Sequence, residues 1–227
     1  ISYYGTRKVL QLQSFQASGV VDLDRAFGGL NLRFTHSSKI ADIPFKVTGG
    51  LDYDKSSETR KGYNNNNGSV DSALLRNEDD AVYNLDPYIQ ANLQLASSFE
   101  LTSGVRHSNV NFSVKDNFNS LGSSNYNTGN VSYSKTIPTA GILYHLTPST
   151  NLYANAGKGF ETPTFAEISY SLNADGSVNV NKSTFSLKPA ESTTYEAGIK
   201  SFVNDNSYLN IAFFTTQVTN EIAAATN

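Results

Sequence analysis

Along most of this chain polar and apolar residues alternate one for one. Leu30, Leu32 and Phe34 share one parity and Asn31, Arg33 and Thr35 the other. Phe45, Val47, Leu51 and Tyr53 stand against Lys46, Thr48, Asp52 and Asp54, and Ile89, Ala91, Leu93 and Leu95 against Gln90, Asn92 and Gln94. The theme returns in Phe99, Leu101 and Val105 against Glu100, Thr102 and Arg106, and in Tyr195, Ala197 and Ile199 against Glu196 and Lys200. In the last full run, Leu209, Ile211 and Phe213 oppose Tyr208, Asn210 and Ala212. A period of two puts successive side chains on opposite faces of a strand, so these runs predict sheet with one apolar face. No window carries a comparable helical stripe.

The pattern predicts about nine strands, near residues 2–15, 28–38, 45–59, 84–95, 98–114, 132–146, 150–160, 191–203 and 207–219. Short connections around 40–44, 96–98, 147–150 and 204–206 alternate with long polar stretches at 60–80, 116–131 and 161–189. Turns gathered on one side and long loops on the other are expected of a transmembrane barrel. Several runs also exceed the usual length of a soluble strand. Tyr53, Tyr63, Phe99, Phe112, Tyr144 and Tyr153 sit near run ends, where an interfacial girdle is expected. The fold class predicted is all-β: an antiparallel up-and-down transmembrane β-barrel, present here as about nine strands of a larger one. A soluble β-sandwich, built from the same alternation, is the competing architecture.

Composition fits this reading. Charged residues make up 16 % of the 227 positions, against roughly 25 % in ordinary soluble domains, and AVILMFWYC residues 38 %. Asn, Ser and Thr fill roughly a third of the chain. The net charge of −3, with no basic block, speaks against nucleic acid as a partner. Cysteine is absent, so no disulfide, thiolate metal site or Cys nucleophile exists. No apolar run reaches the ~18 residues of a membrane-spanning helix. Neither a leader pattern nor any Met occurs, so the chain is expected to be an internal piece of a longer protein.

Two segments carry a family resemblance. Residues 157–168 read GKGFETPTFAEI and residues 187–200 read LKPAESTTYEAGIK. Upstream stand SYYGTRKVLQLQ (2–13), GVVDLDRAFGGLNLRF (19–34), LRNEDDAVYNLDPYIQANLQL (75–95) and GVRHSNVNF (104–112). In this order they resemble the barrel of TonB-dependent outer-membrane receptors, in particular the ferric-citrate and siderophore receptors. The resemblance spans nearly the whole chain. It implies that 1–227 is part of the β-barrel domain of a plugged, ~22-stranded receptor. The plug, the first strands, the C-terminal strands and the TonB-contacting segment would lie outside the sequence. It also implies a place in the outer membrane of a Gram-negative bacterium and import of a ferric chelate. The partners would be that chelate, outer-membrane lipid and TonB; no cofactor and no enzymatic activity are implied. A piece with two open sheet edges is expected to fold only within the complete barrel.

The motif residues Gly157, Gly159, Phe160, Pro163, Pro189, Glu196 and Gly198 are read as structural: glycines for a tight departure from the strand, prolines where pairing stops, Glu196 inside the lumen with Lys200. Gly157 to Thr162 lacks the third glycine and following helix of a phosphate loop. His36, His107 and His145 lie on different strands without metal-ligand spacing, so no metal site is expected. Glu78, Asp79 and Asp80 read as a solvated acidic turn rather than a cation site, and Asn64 to Asn67 as a polar loop tip. For an anionic chelate, cations and aromatics in the long stretches are the candidate contacts: Arg60, Lys61, Tyr63, Arg76, Tyr126 and Tyr170. An outer-membrane hydrolase would need a converging Ser/His or Asp/His group, and the spacing of the three histidines offers none.

Overall fold

The structure is a computed structural model, and it describes residues 1–12, 19–117, 128–168, 171–172, 178–179 and 184–222. Nine strands form one antiparallel sheet in strict chain order. They are β1 (Ser2–Leu12), β2 (Val20–Ile40), β3 (Ile43–Asn66), β4 (Ser69–Ala96), β5 (Phe99–Asp116), β6 (Gly129–Thr147), β7 (Thr150–Glu161), β10 (Ala190–Asn204) and β11 (Ser207–Thr219). Between β7 and β10 stand a four-residue helix, α1 (Phe165–Ile168), and a two-stranded ribbon of β8 (Ser171–Leu172) and β9 (Val178–Asn179). Thr164 caps α1: its hydroxyl accepts the Glu167 N–H, and the Glu167 carboxylate accepts the Thr164 N–H at 2.7 Å.

The alternation becomes two faces. Across the sheet, Phe45, Leu93, Leu101, Ile142, Ala154, Ala197 and Phe213 are successive Cα partners on the apolar face. One residue along, Lys46, Asn92, Thr102, Gly141, Asn155 and Glu196 form the matching polar row. The apolar rows are open rather than packed face to face: Phe34 is 74 %, Ile89 52 % and Phe213 77 % exposed. Buried hydrophobics among the described residues are five, Val20, Phe112, Val114, Tyr133 and Ile168. A sandwich covers its apolar faces with a second sheet, and this sheet does not.

Four hairpins turn at one end through two residues each: Ala41 and Asp42, Ser97 and Ser98, Pro148 and Ser149, Asp205 and Asn206. At the other end the expected long loop over 60–80 is instead strand. β3 and β4 run on to a two-residue turn, Asn67 (φ 51°) and Gly68 (φ 91°), whose paired positive φ values match a type I′ hairpin. Hydropathy hides this extension, because over 56–62 and 76–80 both faces of the ribbon are polar. β2 likewise starts at Val20 rather than near 28.

Two further expectations are corrected. Glu78 and Asp80 are not solvated, being 0 % and 2 % exposed, because they project from the polar face of β4 into a charged cluster. Phe112 and Tyr153 are not girdle residues: Phe112 is buried on the polar side of β5, and the Tyr153 hydroxyl reaches Glu196. Tyr53, Tyr83 and Tyr144 keep the apolar parity and are exposed.

Candidate functional site

The functional chemistry of this wall lies on its polar face, in three groups. The first is the Arg106 network. Pro87 has no N–H to give to the ladder. Opposite it, residues 107–109 of β5 lose their regular pairing with β4. The Asp86 carboxylate fills the gap, accepting the Asn109 N–H at 3.0 Å, the Ser108 hydroxyl at 3.2 Å and the Arg106 guanidinium at 2.8 Å. Arg106 also holds Asp52 at 2.6 Å, so one guanidinium ties β3, β4 and β5. Asn84 donates to Asp54 and Asp86, Tyr3 donates to Asp54, and Asn31 donates to Asp52.

The second group explains the late motif. Glu196, Gly198 and Lys200 project from β10 on one parity, and all three engage Tyr153 of β7. A Cβ at Gly198 would lie 2.5 Å from the Ile211 carbonyl oxygen and 2.7 Å from the Tyr153 ring, so glycine leaves room for both the β11 backbone and that ring. The Tyr153 hydroxyl donates to Glu196 at 2.5 Å, and the Lys200 ammonium stands 5.0 Å from the ring centroid, within cation–π range. Gly159 faces Ser192, whose hydroxyl occupies the space a Cβ would take, and a Cβ at Gly157 would meet Thr139 at 3.2 Å. Tyr133 donates to the Leu187 carbonyl at 3.0 Å, fixing the chain just before Pro189 and the start of β10.

The third group lies beyond the apolar band, at the ends away from the four hairpin turns first described. Arg25 pairs with Glu58, and Arg76 pairs with Glu78 at 2.6 Å. Arg60 is the Cα partner of Glu78, and Glu58 of Asp80. Burial, then the charges of Glu78 and Glu58, push the Asp80 carboxyl up to about 7, with Arg76 and Arg60 partly offsetting. Beside this cluster, Phe112, Tyr133 and Ile168 form a buried apolar knot, with Phe160, Phe165 and Phe185 packed against it. Phe112 meets Tyr133 and Phe165 edge-on, at ring centroid distances of 6.0 and 5.2 Å. Pro163 is fully buried at the foot of α1.

Of the six candidate chelate contacts, the structure brings Arg60 and Arg76 together and engages Arg76 with Glu78. Lys61 has the opposite parity, with Asp22 and Asn77 as Cα partners, and Tyr63 is half-buried at a break in the β3–β4 register. Tyr126 and Tyr170 lie outside the described residues. The sequence pattern does not single out Asp86, and it reads Tyr153 and Phe112 as girdle residues rather than as the centre of a polar-face network and part of the aromatic knot. A proline inside an alternating run was the available signal for Asp86. Among the described residues, no group of His, Cys, Asp or Glu has metal-binding geometry. His107 does meet a serine, Ser134, at 3.1 Å, but its other nitrogen contacts the Thr136 hydroxyl at 3.0 Å. A hydroxyl there does not stabilise an imidazolium as the acid of a hydrolase triad does.

Residues 2–227 match the family described as TonB dependent receptor-like, beta-barrel. The chain belongs to that family. Barrels of TonB-dependent receptors are outer-membrane proteins of Gram-negative bacteria, and their family is one of transport receptors. Solved structures with the same fold include the ferric-catecholate import receptor Fiu of E. coli K12, at TM-score 0.66 and 20 % identity, covering 97 % of this chain and 37 % of that one. The ferric citrate transporter FecA superposes at TM-score 0.73 with 18 % identity, over 96 % of this chain and 31 % of its own. The alcaligin outer-membrane receptor FauA of Bordetella pertussis gives 0.67 with 17 % identity, over 96 % and 33 %. This TonB-dependent receptor chain thus spans about a third of the solved receptors it matches.

Proposed function

We propose that residues 1–227 supply nine consecutive wall strands of a plugged outer-membrane receptor that imports a ferric chelate, a siderophore or ferric citrate, without chemistry of its own. The observation that carries the reading is the sequential sheet with one open apolar face and four of its two-residue turns at one end. Barrels of this kind place short turns in the periplasm and long connections outside the cell. The apolar rows then meet lipid, and the Arg106 and Tyr153 networks line the lumen, where charge is tolerated. Energy would come through TonB, contacted by a segment N-terminal to this wall. The charged cluster and the aromatic knot stand at the outer mouth, and Arg60, Lys61, Tyr63, Arg76, Tyr126 and Tyr170 are the proposed cargo contacts. Deleting the gene should abolish uptake of one radiolabelled ferric chelate under iron limitation, with restoration by the complete gene. Unchanged uptake of catecholate, hydroxamate and citrate chelates alike would overturn the reading.

A further inference from the structure

Among the described residues, the one buried acid whose carboxylate has no hydrogen-bond partner is Asp80. Both its carboxylate oxygens, and Glu78 Oε1, are shielded from solvent and lack hydrogen-bond partners. An ionised carboxylate in that position carries the full cost of lost hydration, whereas a neutral one carries much less. The groups that face it are few among the described residues. On β3 stand Glu58, its register partner, and Arg60. On β4 stand Glu78 and Arg76, already paired with each other at 2.6 Å. On β5 the register partner is the apolar Val114, with Asp116 opposite Glu78. Behind β3, Arg25 of β2 is taken up by Glu58, and Arg7 of β1 is the register partner of Arg25. Two acids adjoin Asp80, and the two arginines paired in this cluster serve other carboxylates.

We propose that Asp80 is a proton-operated latch at the outer mouth: protonated, it lets β3, β4 and β5 close over the charged cluster, and loss of the proton loosens their ends. Asp80 lies beyond Tyr83 and Leu85, the last large apolar-face side chains on this part of β4, so it sits outside the membrane-spanning rows. The direction is fixed by linkage. When the strands open, Asp80 meets water and returns to its ordinary range near 3.8, while closed it stays protonated up to about 7. The closed state therefore gains most at low pH, loses stability as pH rises towards 7, and changes no further above that.

The inference uses the proposed function only to name the outer side of the membrane, and its test involves no cargo. Amide exchange is followed in residues 58–61 and 77–80 of the complete receptor in detergent micelles, corrected for intrinsic rates. Opening should increase by up to ~100-fold between pH 5 and pH 7, where one proton is released. Asp80→Asn should flatten that dependence. Should Asp80→Asn fail to fold, Asp-selective carboxyl carbon NMR of the wild type reads the same site: a carboxyl midpoint between pH 6 and 8, moved down by Glu78→Gln, is expected. A flat wild-type profile, an unaltered profile in Asp80→Asn, or a carboxyl midpoint below pH 5 overturns the latch.

Discussion

Tyr153 is held by three residues of one strand, and this makes the late motif testable side chain by side chain. Gly198→Ala places a methyl against the Ile211 carbonyl and the Tyr153 ring and should cost about 1–3 kcal/mol, the usual penalty of overpacking, with the loss read in urea unfolding of the micelle-bound barrel. Tyr153→Phe keeps the ring and removes only the bond to Glu196, so it should cost about 1 kcal/mol. Asp86 carries more. Asp86→Ala strips Arg106 of one partner and leaves the Asn109 amide unpaired beside Pro87, for a loss of about 3 kcal/mol. The role of Glu196, Gly198 and Lys200 was half legible in the sequence. Alternation gave their shared face, but their common partner is 43 residues from Glu196 and no local pattern names it.

At the scale of elements, the hairpin turns are where sequence and backbone disagree most usefully. Ala41 and Asp42 adopt positive φ, 47° and 67°, in a two-residue turn that Asn-Gly fills with less strain. Replacing the pair by Asn and Gly should raise stability by about 1 kcal/mol, read as a shift in the thermal midpoint of the full barrel. The strands themselves were legible wherever one parity was apolar, which is why the boundaries of β7, β10 and β11 fall within a residue of expectation. The β3–β4 extension was not. Its alternation sets buried charge, Glu58, Arg60, Arg76, Glu78 and Asp80, against exposed polar residues, and hydropathy cannot distinguish the two.

The whole sheet makes sense only as part of something larger. β1 and β11 each have one sheet neighbour, and an unpaired edge together with an open apolar face costs far more than a chain of this size gains alone. Residues 1–227 expressed by themselves should aggregate without detergent, as judged by size-exclusion chromatography with circular dichroism. A cooperatively folded monomer in plain buffer would contradict this.

Among the described residues the β3–β4 ribbon extends past the ends of β2 and β5. Among the described residues the register with β2 ends at Tyr63 and that with β5 at Glu78, and at the tip Asn65 and Asn66 pair with Val70 and Ser69. On the proposed orientation this tip points away from the cell. Its run of four asparagines presents amides and no charge or ring. A peptide inserted between Asn67 and Gly68 should be displayed to antibodies on intact cells while leaving the barrel assembled, whereas the same insertion between Ser97 and Ser98 should stay hidden.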